Sequence, residues 1–234
     1  MNGGLDILRR IGFIVTGFQS IPAGSAMLET SKVEKVYSKY SRYYDLVFGK
    51  LFHDSRLSAL DLLGIVPGSR VLEVGVGTGM VLPSYPKDCR VVGIDLTGPM
   101  LNKGLERTRR YGLSHIDLFQ MDATHMAFAD DSFDSVMAAY VMTAVPHPFE
   151  VLAEMCRVCR PGGTIVMLNH FSNHNPFISR VERKISPFCS SRMGFRTDLT
   201  VEALLAGSPL VIKQRLKVNP LRFWQIVQCE NKKG

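Results

Sequence analysis

Hydrophobic and polar positions follow two regimes along the chain. From residue 57 onward, short apolar runs alternate with stretches of helical period. The strand candidates are Arg70–Val74, Arg90–Asp95, His115–Met121, Ser135–Tyr140 and Gly163–Asn169. Helical patterns lie between them, for example over 99–111 and 148–159, and Pro161-Gly162-Gly163 reads as a turn before the fifth strand. Repeated strand–helix units predict a parallel sheet covered by helices on both faces. The end differs. Leu210–Val218 and Phe223–Cys229 are two strand-like runs separated by Asn219-Pro220-Leu221-Arg222, which reads as a hairpin.

Before residue 57 the pattern is amphipathic. Leu5, Ile7, Leu8, Ile11, Ile14, Val15 and Phe18 share one side of a helical wheel, with Asp6, Arg9, Arg10 and Thr16 opposite. Gly12 and Gly17 weaken this helix. Its apolar side suits a membrane surface or the protein's own core, and Arg9-Arg10 followed by Ala23-Gly24-Ser25-Ala26 faintly imitates a signal sequence. A second run spans 32–52. Val33, Val36, Tyr37, Tyr40, Tyr44, Val47 and Leu51 line one face, and Lys32, Lys35, Lys39 and Arg42 the other. Tyrosines at 37, 40, 43 and 44 give it polar tips that need partners, as a pocket wall would. The chain therefore divides into an N-terminal helical segment, 1–56, expected to touch membrane and cover the active site, and a core, 57–234.

Composition narrows the class. The 234 residues, 46% hydrophobic and 21% charged, exclude a disordered or fibrous chain and suffice for one α/β domain. No window reaches 18 uninterrupted apolar residues, which argues against a spanning helix. The net charge of +7 is uneven: +3 over 1–56, −3 over 57–149 and +7 over 150–234. Two basic flanks favour an anionic partner. Five cysteines, at 89, 156, 159, 189 and 229, form no disulfide framework and fit a reducing, cytoplasmic compartment. The Cys156–Cys159 pair lies in an apolar-periodic run, so it reads as buried thiols rather than a metal or redox site.

The strongest chemical signal is Val71-Leu72-Glu73-Val74-Gly75-Val76-Gly77-Thr78-Gly79, an apolar strand running into three alternating glycines. Glycine lets a ligand approach the backbone closely. Twenty residues after Gly75, the next strand ends at Asp95, placed to accept ribose hydroxyls. The third ends in Gln120-Met121-Asp122-Ala123, where a carboxylate can accept from an adenine amino group. Adjacent parallel strand ends form one crevice, where open α/β sheets bind ligands.

These residues, with Arg160-Pro161-Gly162-Gly163, resemble the class I S-adenosylmethionine-dependent methyltransferases over roughly 57–230. The resemblance implies a Rossmann-like α/β fold with a seven-stranded sheet and an antiparallel last strand, here preceded by N-terminal amphipathic helices. It also implies S-adenosylmethionine as cofactor and S-adenosylhomocysteine as product. Glu73, Gly75, Gly77, Thr78 and Gly79 would meet the methionine end, and Asp95 the ribose. Leu96, Met100, Asp122 and Ala123 would surround adenine, and Tyr140 joins the cofactor-binding set. Arg56 is a further candidate partner for the cofactor carboxylate. Arg42-Tyr43-Tyr44-Asp45, the run from Tyr140 to Pro148 and Asn169-His170-Phe171 are similar to bacterial phospholipid N-methyltransferases. Those enzymes methylate phosphatidylethanolamine toward phosphatidylcholine. Quinone-ring C-methyltransferases share much of the outline.

An amine nucleophile must be neutral, and a pocket that desolvates it beside a positive charge lowers its pKa without a strong base. Aromatic faces tolerate the headgroup as methyls accumulate. The catalytic candidates are Tyr40, Tyr44, Asn169 and His170, with Tyr140 in the aromatic wall. The substrate-binding candidates are His147, Arg180, Arg183 and Lys184, the last three as a lipid phosphate site. His174 also follows the fifth strand. Methyl transfer needs no metal. The expected partners are a phospholipid substrate and an anionic membrane surface, with no nucleic acid, at the inner face of the cytoplasmic membrane. RNA methylation, quinone methylation and a noncatalytic cofactor-binding adaptor are the competing readings.

Overall fold

The computed structural model describes residues 49–172, 198–218 and 224–234. Outside them lie the amphipathic stretches before residue 49 with Tyr37, Tyr40, Tyr43 and Tyr44, then His174, Arg180, Arg183, Lys184, Cys189, Arg192 and Arg196, and the link 219–223.

Seven strands form one sheet: β1 (Arg70–Val74), β2 (Arg90–Asp95), β3 (Ile116–Gln120), β4 (Phe133–Ala139), β5 (Cys159–His170), β6 (Leu210–Val218) and β7 (Trp224–Asn231). Their order is β3-β2-β1-β4-β5-β7-β6. The first five pair in parallel, and β7 runs antiparallel to both β5 and β6. This is the expected sheet with its antiparallel last strand. It brings the start of β7 beside the C-terminal ends of the parallel strands, pairing Trp224 with His170.

Side-chain alternation fills two cores. Leu72, Val74, Val92, Ile94, Val136, Ala138, Ile165, Met167 and Val227 face one side. Val71, Val91, Met137, Ala139, Val166, Leu168 and Ile226 face the other. Helix α1 (Gly49–Asp61) and α2 (Gly98–Tyr111) cover the second side, through Ala59, Leu60 and Leu101. Helix α3 (Pro148–Val158) and α4 (Val201–Leu205) cover the first, through Val151, Leu152, Met155, Val201 and Leu204. Each large side chain so buried stabilises the fold by roughly 1.5–3 kcal/mol. Glu73 stands in the α1 side of this alternation, a carboxylate in a mostly apolar layer.

Several details depart from the sequence pattern. Residue 56 lies inside α1, so the division between the two segments falls within a helix that packs on β4 and β5. Pro161-Gly162-Gly163 is not a turn ahead of β5 but an irregularity inside it. Phe133 pairs with Cys159 and Ser135 with Thr164, so the residues between are looped out. Gly162 there takes φ +71°, and a Cβ on Gly163 would lie 2.8 Å from the Asp134 carbonyl. The β1–β2 connection carries only a short 3₁₀ turn, Leu82–Ser84, which packs Val81, Leu82 and Tyr85 beneath the glycine loop. Cys156, Cys159 and Cys229 are buried thiols, and burial pushes them up to about 11, 12 and 12. They stay protonated and unreactive. Among the described residues no helix is long and apolar enough to cross a membrane.

Candidate active site

The glycine loop leaves β1 with Gly75, Gly77 and Gly79 at φ +69°, +56° and +70°. At Gly75 the constraint is also steric, since a Cβ would lie 2.3 Å from Val141 Cγ2. Val141 follows β4, so this glycine lets the loops after β1 and β4 touch. Gly77 differs. Its absent Cβ faces open space, with only the Gly75 carbonyl as near as 4.0 Å. Thr78, between Gly77 and Gly79, is buried.

Asp95 ends β2 and fixes the loop. One carboxylate oxygen accepts from Gly77 N–H and the other from Thr97 N–H, each at 2.8 Å. Burial raises its pKa, and these two backbone bonds pull the other way. Each oxygen keeps a second lone-pair direction for hydroxyl donors. Asp122 uses one oxygen to cap its own loop, accepting from Thr124 N–H and Oγ1–H at 2.9 and 2.8 Å. Leu96, Met100 and Ala123 are half-buried, and Gln120 ties the Leu96 carbonyl to β3 at 2.9 Å.

Glu73 is 4% exposed, and its Oε2 has no hydrogen-bond partner among the described residues. Burial raises its pKa to about 7, while the nearby Tyr85 hydroxyl and Arg56 pull it down and Asp95 pushes it up. Arg56, from α1, also places its guanidinium 4.7 Å from the Tyr140 ring centroid. Tyr140 follows β4 with φ +65°, a rare conformation for a residue with a side chain. Phe52 packs edge-on against both Tyr140 and Trp224, at 5.0 and 5.1 Å between centroids. His170 lies 6.3 Å from Trp224. A chain of contacts thus runs from Asp95 and the glycine loop through Glu73, Arg56, Tyr140, Phe52 and Trp224 to His170.

Asn169 and His147 stand in opposite surroundings. Asn169 is fully buried: Oδ1 accepts from Met142 N–H at 3.2 Å and Nδ2 donates to Thr143 Oγ1 at 2.9 Å. Its amide shapes the loop after β4 and has no exposed surface for a substrate. His147 is exposed at the start of α3, with Nδ1 3.6 Å from the Glu150 carboxylate. Tyr40, Tyr44, Arg180, Arg183 and Lys184 are outside the described residues. Sequence reasoning missed Phe52, Tyr85 and Trp224. A single Trp in the chain was the one available hint.

A glycine loop ordered by an acid at the end of the next parallel strand suits a nucleoside cofactor, and residues 72–167 match the family model described as a methyltransferase domain. The chain belongs to the class I S-adenosylmethionine-dependent methyltransferases. It is 35% identical over 194 residues to a phosphatidylethanolamine N-methyltransferase of Cereibacter sphaeroides, covering 82% of this chain and 94% of that one. It is also 30% identical over 171 residues to a ubiquinone/menaquinone biosynthesis C-methyltransferase of Ectopseudomonas mendocina, covering 70% and 67%. Among solved structures, a SAM-dependent methyltransferase from Aquifex aeolicus superposes with TM-score 0.63 at 19% identity, over 82% of this chain and 97% of that one. The cofactor is S-adenosylmethionine. The residues fit it: an unpaired buried carboxylate oxygen, a glycine beside open space and an acid with accepting capacity left.

Proposed function

We propose that this protein N-methylates phosphatidylethanolamine, and its mono- and dimethyl forms, toward phosphatidylcholine at the cytoplasmic membrane surface. The observation that carries this reading is the 35% identity, spread over 94% of the length of a phosphatidylethanolamine N-methyltransferase. S-adenosylmethionine supplies an electrophilic methyl group on a sulfonium. The chain's own residues then align the amine, keep it unprotonated and exclude water. The Arg56 charge disfavours an ammonium, which shifts the amine toward its neutral form. Phe52, Tyr140 and Trp224 supply apolar surface, and their faces suit a cation once methyls are added. Asn169 holds the loop that carries Tyr140, and His170 borders the crevice. Tyr40 and Tyr44 close the aromatic wall, while Arg180, Arg183 and Lys184 hold the lipid phosphate.

A second reading, C-methylation of a quinone-type ring, is favoured by the 30% identical relative. Both are tested by incubating the protein with methyl-labelled S-adenosylmethionine and three acceptors: phosphatidylethanolamine vesicles, a quinol precursor and RNA. Label is expected in the lipid headgroup alone. Label in the quinol or RNA, with none in lipid, overturns the assignment and leaves the methyltransferase family standing.

A further inference from the structure

Beneath the glycine loop two buried polar groups lie side by side without completing a hydrogen bond. Glu73 Oε2 and the Tyr85 hydroxyl are both sealed from solvent, and neither meets a partner at ordinary hydrogen-bond geometry among the described residues, although the hydroxyl is near enough to favour the carboxylate. Tyr85 is 3% exposed. Native interiors rarely leave two such atoms unmatched, and here they sit at the end of β1 where the loop opens. Neighbouring charges come from three elements. Arg56 reaches Glu73 from α1 and Asp95 from β2, while Cys89 and His115 flank Tyr85 from beside β2 and β3. Arg56 is the single cation among these, and its guanidinium is also engaged with the Tyr140 ring. A carboxyl in this setting resists ionising alone, and it ionises readily once a second cation arrives.

We propose that Glu73 holds a proton in part of the free protein, releases it to solvent when the ammonium of the cofactor's methionine portion binds, and that Tyr85 sets the pH at which this happens. The proposal rests on the cofactor assignment and not on the lipid reading. The balance is simple. The Glu73 carboxyl O–H breaks, water or buffer takes the proton, and the carboxylate remains opposite the ammonium. Only the carboxylate form binds well, so affinity is full above the titration midpoint and falls as pH drops through it. With Glu73 at about 7, about half the molecules carry the proton at pH 7. Affinity then falls about tenfold from pH 8 to pH 6. The Tyr85 hydroxyl helps the carboxylate, so its removal moves the midpoint to higher pH. Tyr85 is a positioning residue in this account, because it acts through Glu73.

The test is calorimetric titration of the full chain with S-adenosylhomocysteine in buffers of different ionisation enthalpy. The expected result is release of about half a proton per ligand at pH 7. Glu73→Gln should release none and bind with affinity flat between pH 6 and 8. Tyr85→Phe should release more than the parent at pH 7. In parallel, carbon-13 spectra of labelled glutamate in the ligand-free protein should show one carboxyl titrating near neutrality, absent from Glu73→Gln. Tight binding with no proton release, or equal release from Glu73→Gln, overturns the proposal and leaves the cofactor assignment intact. No binding by the folded parent between pH 6 and 8 overturns both.

Discussion

Two glycines of one loop are required for different reasons. Gly75 has a positive φ and no space, because Val141 Cγ2 occupies the place of a Cβ. Gly77 has a positive φ and ample space. Gly75→Ala should therefore destabilise the fold by roughly 2–5 kcal/mol, combining left-handed strain with a core clash. Gly77→Ala should cost stability only about 1–2 kcal/mol. It should instead lose most affinity for S-adenosylhomocysteine, since its methyl enters the space beside Asp95. Urea unfolding and calorimetric titration of both variants separate the two effects. Equal stability losses with unchanged binding in Gly77→Ala would remove that glycine from the cofactor site. The same scale explains Asp95, whose carboxylate orders the loop through Gly77 N–H and Thr97 N–H before any hydroxyl reaches it.

Elements are joined here by buried or half-buried side-chain amides that satisfy main-chain groups at their ends. Asn231, fully buried at the end of β7, donates to the Cys156 and Cys159 carbonyls at 2.9 and 2.8 Å. It thereby closes the C-terminus of α3 and the start of β5 together. Gln228 does the same for the Leu62 carbonyl after α1, at 2.8 Å. Asn231→Ala leaves the Cys159 carbonyl without its donor, while Lys233 Nζ still donates to the Cys156 carbonyl at 2.9 Å, and should destabilise the protein by about 1–3 kcal/mol. Arg215→Ala, which removes an exposed ion pair with Glu202, should change stability by less than about 1 kcal/mol. Denaturant midpoints measure both, and similar losses would mean that the C-terminal strand does not secure α3 as described. Asn169 belongs with these amides. It looked catalytic because it follows a strand near a His, and only its burial shows that the amide is spent on the loop after β4.

At the scale of the whole molecule, charge is separated along the chain, with basic flanks around an acidic middle. Each Lys or Arg near an anionic membrane contributes about 1 kcal/mol, and the attraction fades beyond a Debye length. If the flanks face lipid, vesicle binding should rise with anionic lipid and fall with salt. Deleting residues 1–22 should remove an apolar anchor while the glycine loop, Asp95 and Asp122 keep binding S-adenosylhomocysteine. Reversing Arg180, Arg183 and Lys184 to Glu should weaken vesicle binding and lipid turnover together. Cosedimentation of both variants at parental levels, at low and moderate salt, would sink the membrane-surface assignment.

Much of the fold was legible because its signals are local. Alternating strand and helix periods gave β1, β2 and β6 with their observed limits, and the two terminal runs formed the hairpin that places β7 antiparallel. The glycine loop and the acids at 95 and 122 could be read together because parallel strands bring their ends to one edge. Chain spacing therefore gathered the glycines and both acids at one edge of the sheet, and the family resemblance they carry implied the cofactor. The tertiary structure decided what lies across from each residue. It set Arg56 beside Glu73 and over Tyr140, Tyr85 under the glycine loop, and Trp224 against Phe52 and opposite His170. It also raised a carboxylate toward neutrality by enclosing it. Periodicity fixes which face a side chain occupies. Contacts between faces, and the loss of water there that shifts a pKa, exist only once distant segments have packed.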